Sequence, residues 1–210
     1  IHAMTQHIHT VSTDAYCIVV RGAGADFCRG RDPSTAGAHP TPMALRDNLL
    51  LPIMDLYDAI KSSKIPVIAV VQGQALGLGC AIAGVCDITI ADESALFQLP
   101  EMQYHLPPTL AISAIVDKIG KKSTAWMAYS LDKMDAYRAR EMGLINSVVP
   151  VGKLDAELER LLDTLTQRDL MAVKAVKEYL HVAPESGPAV RSMASNLLAL
   201  ALSTQAAQKS

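Results

Sequence analysis

The sequence predicts an α/β fold built on a largely parallel sheet. The β-branched, apolar runs YCIVV (residues 16–20), VIAVVQG (67–73) and CDITIAD (86–92) have the length and composition of fully buried strands. A helical pattern separates the first two, and glycine-bearing stretches leave the same two. Buried strands alternating with helices imply βαβ units and hence parallel pairing.

In chain order, IHAMTQHIHT reads as the end of a helix. Its crowded His2, His7 and His9 invite a metal reading, but no carboxylate or cysteine cluster completes one, so they belong to the solvated side. YCIVVRG is a strand stopped by glycine, and residues 30–42, rich in Gly, Pro, Ser and Thr, form a loop. Over residues 43–63, Leu45, Leu49, Ile53, Leu56, Tyr57 and Ile60 recur at three- and four-residue spacing, the mark of an amphipathic helix that Pro66 closes. The acidic pair Asp92 and Glu93 has the spacing of a turn and is expected in solvent. From Pro108 onward the pattern is helical, apart from a strand candidate at 145–149. The expected organisation is an α/β core over residues 1–150, then a helical region over 151–210 that forms a separate layer or an oligomer contact.

With 210 residues, half of them apolar, the chain can bury one substantial core. A net charge of −2 and the lack of a basic run exclude nucleic-acid and anionic-membrane binding, leaving a small-molecule partner. Cys17, Cys28, Cys80 and Cys86 form no C-x-x-C pair and sit in apolar surroundings, which suits reduced thiols of a cytoplasmic protein. The late apolar run LLALAL is far too short to span a bilayer, and nothing at the start resembles a secretion signal. A first residue of Ile rather than Met suggests a truncated chain.

The stretch GAGADFCRGRD, residues 22–32, leaves the first strand. A dinucleotide loop needs G-x-G-x-x-G followed at once by a helix, but Phe27 holds the third glycine position and a loop follows. A Walker loop fails because G-K-[ST] is absent. The second exit, GQALGLGCAIAG at 73–84, has small residues that let a short helix begin close to a ligand. The first-turn N–H groups of a helix lack internal partners and suit an oxygen that gains negative charge. Two such exits side by side would make an oxyanion hole. Taken alone, these residues fit a pair of tight strand exits equally well.

Longer motifs carry a resemblance. FCRGRD resembles the F-x-A-G-x-D loop of the crotonase (enoyl-CoA hydratase/isomerase) family. IPVIAVVQGQALGLGCAIAGVCDITIADESALFQLPE looks like that family's longest signature, and AREMGLINSVVP is similar to its later A-x-x-x-G-L-V-x-x-V-x-P segment. The match runs from about residue 16 to 180 in order. It implies a ββα superhelix, or spiral, core with a C-terminal helical trimerisation region, in a homo-trimer or hexamer. The family's N-terminal hairpin is missing from this sequence.

By motif position the resemblance implies that the backbone N–H groups of Arg31 and Leu78 hold the thioester oxygen. It further implies that Gly77 and Gly79 permit close approach, and that Arg29, Gly30 and Asp32 line the coenzyme A site. Coenzyme A is then part of the substrate, and neither a separate cofactor nor a metal is needed. Hydratases of the family use two glutamates. Here Ala81 stands at the first position and Glu101 keeps the second. One carboxylate suffices for a 1,3-proton shift, whereas hydration also needs a group to activate water. His105 holds a position that is usually glycine in the family and could supply an acid or base.

The expected function is therefore oxyanion-assisted proton transfer on an acyl-CoA, most simply double-bond isomerisation in fatty-acid-type metabolism. An atypical enoyl- or dienoyl-CoA hydratase or another crotonase-type lyase is the nearest rival. A non-catalytic acyl-CoA-binding relative is a rival of another class.

Overall fold

The computed structural model describes residues 1–32, 41–182, 192, 193 and 195–199. Parts of the expected 30–42 loop and of the helical tail to residue 208 lie outside the described residues. The three apolar runs form strands β1 (Ile18–Arg21), β2 (Val67–Val71) and β4 (Ile88–Asp92). With β7 (Ser147–Val149) they make a four-stranded, all-parallel sheet in the order β1-β2-β4-β7.

Side chains alternate across the central strands, as the pleat requires. Val67, Ala69, Val71 and Ala91 point into the main core, against α3 (Leu51–Ser62), α4 (Leu78–Val85) and α5 (Thr109–Ser130). Ile68, Val70 and Ile90 point the other way and are covered by Leu154 and the leucines Leu158, Leu161 and Leu162 of α7 (Leu154–Thr166). β2 and β4 are thus covered on both faces, which is why they read as unbroken apolar runs. β1 corrects the expectation of a third fully buried strand: at the edge of the sheet it alternates half-buried and exposed residues, Val19 and Arg21 facing out.

The amphipathic stretch is helical as expected. It opens with α2 (Pro42–Leu45), capped by the Thr41 hydroxyl, passes through a π-helical turn at Arg46–Leu50 and continues as α3. Ile53, Leu56, Tyr57 and Ile60 are its buried face. At the start, α1 (His2–His9) buries Ile8 and leaves His2, His7 and His9 exposed. The four cysteines are free thiols, with Cys80 and Cys86 buried and Cys17 and Cys28 half-buried. No helix among the described residues is long and apolar enough to cross a membrane.

A second, smaller sheet has the order β3-β5-β6, from β3 (Gln74–Leu76), β5 (Leu96–Gln98) and β6 (Met134–Asp135). β3 pairs parallel with β5, and β5 antiparallel with β6. This sheet carries the chain from the end of β2 into α4.

Asp92 corrects the expectation of a solvated pair. It ends β4 at 4% exposure and accepts hydrogen bonds from the Ser94 N–H and hydroxyl, so the carboxylate is buried but satisfied. Glu93 is exposed and accepts from the Tyr137 hydroxyl at 2.6 Å.

The helix α8 (Leu170–Val182) is fastened by one buried cation. Lys177, 4% exposed, donates to both Asp87 carboxylate oxygens at 2.8 Å and to the Ile60 carbonyl at 2.9 Å. Asp87 in turn accepts from the Val67 N–H at 2.7 Å, so the pair ties α8 to the end of α3 and the start of β2. Removing one partner of such a pair strands the other charge and costs about 3 kcal/mol or more. Lys177→Met is accordingly expected to lower the unfolding midpoint by about 6–12 °C in a calorimetric scan, and a shift below about 2 °C would refute the role.

Candidate active site

The two glycine-bearing exits lie side by side. After β1, residues 22–28 run along the segment that leaves β2. The Phe27 N–H donates to the Gln72 carbonyl at 2.8 Å and the Cys28 N–H to Gln74 at 3.0 Å, while the Leu76 N–H donates back to Cys28 at 2.9 Å. Gln72 and Asp26 add side-chain bonds. The Gln72 amide donates to the Gly22 and Gly24 carbonyls, and Asp26 accepts from the Gln74 N–H. The first exit is thus stitched to the second as an additional parallel pairing of Cys28 with Ala75.

Glycine is required at the points of closest approach. A Cβ on Gly79 would collide with the Cys28 carbonyl oxygen and stand 2.8 Å from the Cys28 Cβ. Gly30, at φ +97°, leaves only 3.2 Å between such a Cβ and the Leu76 carbonyl oxygen. Gly77 caps α4 at φ +51°, where side chains are strained.

α4 begins at Leu78, and its first intrahelical bond is Ala81 N–H to the Gly77 carbonyl at 3.0 Å. The N–H groups of Leu78, Gly79 and Cys80 therefore have no carbonyl partner within the helix, while that of Gly77 is used on Gln98 at 2.9 Å. Arg29, Arg31 and Asp32 follow the stitched segment and are exposed, with Arg29 3.9 Å from the Asp26 carboxylate. The structure brings the neighbourhoods of Arg31 and Leu78 together through Cys28, Gly30, Leu76 and Gly79.

Glu101 comes from the third direction. It opens a 3-10 turn, Glu101–Tyr104, directly after β5 and Pro100. Its Oε1 lies 3.0 Å from the place a Cβ on Gly77 would take, so the carboxyl leans over the start of α4. Its Oε2 is buried and has no hydrogen-bond partner among the described residues. Burial raises the Glu101 carboxyl above the ordinary carboxylate range, opposed only by a hydrogen bond from its own backbone. A buried, unpartnered carboxylate oxygen is costly, and such exceptions point to a ligand or a catalytic role.

Nothing on α4 supplies a second carboxylate. Ala81 is fully buried, and the helix reads LGCAIAGV. Its one titratable side chain, Cys80, is held protonated, pushed up to about 12 by burial and then by the Glu101 charge.

Two further observations were not legible from spacing. Tyr57, on the buried face of α3, is raised chiefly by burial and further by its neighbours Cys80, Glu101 and Cys28, so its phenol stays neutral. A helical period marks such a residue only as core. His105 ends the 3-10 turn in the left-handed conformation, φ 59° and ψ 26°. That backbone accounts for the glycine the family pattern has here, since a side chain at this φ costs about 1–2 kcal/mol. The His105 side chain is exposed.

A family model described as enoyl-CoA hydratase/isomerase matches residues 1–210. A protein named "Probable enoyl-CoA hydratase, mitochondrial" from Dictyostelium discoideum is 30% identical over 173 residues, 82% of this chain and 61% of that protein. The crystal structure of an enoyl-CoA hydratase from Mycobacterium smegmatis superposes with a TM-score of 0.90 at 25% identity, covering 96% of this chain and 79% of that one. A Thermobifida fusca YX protein crystallised in complex with acetoacetyl-CoA superposes at 0.83 with 26% identity, covering 96% and 83%. The chain spans 61–66% of the length of the first curated relatives it matches.

Proposed function

This chain belongs to the enoyl-CoA hydratase/isomerase family and carries the crotonase fold, and from that membership we propose that it moves a proton on an acyl-CoA thioester. Glu101 takes a proton from the carbon chain beside the thioester and returns it two carbons away, so the double bond shifts and no atom is gained or lost. The enolate oxygen formed between these steps is held by the N–H groups of Arg31 and Leu78. Main-chain donors of this kind contribute about 3–4 kcal/mol each to such a barrier. Arg29, Gly30 and Asp32 face the coenzyme portion of the substrate.

The observation that carries this reading is the Glu101 carboxyl, raised by burial and with one oxygen unpartnered, beside a helix start that has no second carboxylate. A carboxyl raised by burial, one of whose oxygens has no hydrogen-bond partner among the described residues, is suited to exchange protons with carbon. One group can do both halves of an isomerisation. Hydration asks for two, and the position that would hold the other is Ala81.

Hydration remains the second reading because the relatives named above are called hydratases. A panel of 2-enoyl- and 3-enoyl-CoA thioesters followed by mass spectrometry and chromatography separates the two. Isomerisation gives a product of unchanged mass with a moved double bond. A mass gain of one water overturns it in favour of hydration, loss of a group points to a lyase, and no product with any thioester leaves only a binding protein.

A further inference from the structure

A cavity of about 660 Å³ lies between the turn that carries Glu101 and the helix α5. Its walls are mostly apolar, with Met102 and Leu106 on one side and Ile112 and Val116 on the other. That volume and lining suit a drug-sized or acyl-chain ligand held mainly by burial.

Apart from the Tyr129 phenol, the ionisable groups along it are bases. His105 and Lys121 line the cavity, and among the described lining residues there is no Asp or Glu. Among the described residues nothing forms an ion pair or hydrogen bond with the Lys121 side chain. The other polar groups are hydroxyls, and that of Thr124 is already committed to the Gly120 carbonyl at 2.8 Å. Lys121 is placed by a break in α5, where Gly120 adopts φ 74° and ψ 164° and the helical path changes direction just before it.

We propose that this cavity takes the acyl part of the substrate and selects chains that end in a carboxylate. The inference rests on the reading of Glu101 as the group at the reacting carbon, because the same turn supplies both Glu101 and one cavity wall. An apolar chain would lie against Met102, Leu106, Ile112 and Val116, and its terminal carboxylate would meet Lys121, with His105 as a second donor. Lys121 is exposed at the edge of the cavity, so a methyl-ended chain would leave its ammonium in water and gain nothing from it. The coenzyme's phosphates are the less suitable anion here, since the positions assigned to the coenzyme lie on the other exit, after β1.

The test compares 2-enoyl- and 3-enoyl-CoA thioesters of equal chain length, one ending in methyl and one in carboxylate, as substrates of the full chain. Wild type is expected to favour the carboxylated chain in kcat/KM by about two- to fivefold, the worth of an ion pair to an exposed lysine. Lys121→Met should bring the ratio towards unity, Lys121→Glu should invert it, and Lys121→Arg should keep it. Equal use of the two chains by wild type, or a preference that survives in both Lys121→Met and Lys121→Glu, overturns the inference and leaves the Glu101 reading in place. If no thioester turns over, the saturated pair is titrated calorimetrically. Tighter binding of the carboxylated chain that is lost in Lys121→Met supports the inference, equal affinities overturn it, and failure of both to bind overturns the inference and the acyl-CoA reading together.

Discussion

Glu101→Gln protein is expected to lose proton transfer on enoyl-CoA by about 10²- to 10⁴-fold in kcat, the usual worth of a positioned acid/base, while remaining folded and still binding the thioester. Glutamine keeps the shape and can still lie over Gly77, but it neither accepts nor returns a proton at the pH of the assay. The donors of Arg31 and Leu78 are untouched, so KM should move little compared with kcat. Deuterium exchange at the carbon beside the thioester should fall in parallel. Turnover at the unmutated rate would remove Glu101 from the mechanism.

The same substitution makes a second, opposite prediction for stability. Burial raises the Glu101 carboxyl in the fold, so the native protein holds that proton more tightly than the unfolded chain does. The native state therefore carries no penalty below the unfolded value of about 4.3. It loses stability as the pH rises through the higher folded value and the buried carboxylate becomes charged. Glu101→Gln should thus melt above wild type at neutral pH and converge with it below about pH 4. A variant that is less active yet more stable is what a functional group held at an energetic disadvantage predicts. A variant less stable than wild type at pH 7 would mean that the carboxylate is tied down by partners instead.

The elements legible in the sequence were those whose physics is local or repetitive. β2 and β4 are buried on both faces, so their apolar runs needed no partner to be read. The helical face of Ile53, Leu56, Tyr57 and Ile60 repeats at the helical period. β3, β5 and β6, with three, three and two residues, are too short for any period to register. Asp92 was misread because its burial is made tolerable by Ser94 two residues on, a local bond that a solvated turn would show equally. For the site, the glycines announced that two backbones come close, but not to what. That Gly79 faces Cys28, that Glu101 leans over Gly77 and that Lys121 borders a cavity are all contacts between distant segments. The break at Gly120 that places Lys121 lies inside a pattern whose apolar spacing continues through it.

The contact most exposed to a single change is the one between the two exits. In Gly79→Ala the added methyl meets the Cys28 carbonyl oxygen and Cβ, which are backbone and a stiff short side chain, so neither can swing aside. Relief requires the Cys28 segment to move away from β3. That opens the bonds from Cys28 N–H to Gln74 and from Leu76 N–H to Cys28, at 3.0 Å and 2.9 Å. Overpacking of this kind costs about 1–3 kcal/mol, a fall in midpoint of about 2–12 °C. The loss of activity should be larger than the loss of stability suggests. Arg31 follows Cys28 by three residues, and displacing one oxyanion donor relative to Leu78 costs about 10²- to 10³-fold in kcat. Gly24→Ala is the control on the same loop: a Cβ there meets nothing within 4 Å, so stability should stay within about 0.5 kcal/mol of wild type. Gly79→Ala protein that keeps full turnover on enoyl-CoA would show that the spacing of the two exits does not set the chemistry, and would break the link from these glycines to a shared oxygen.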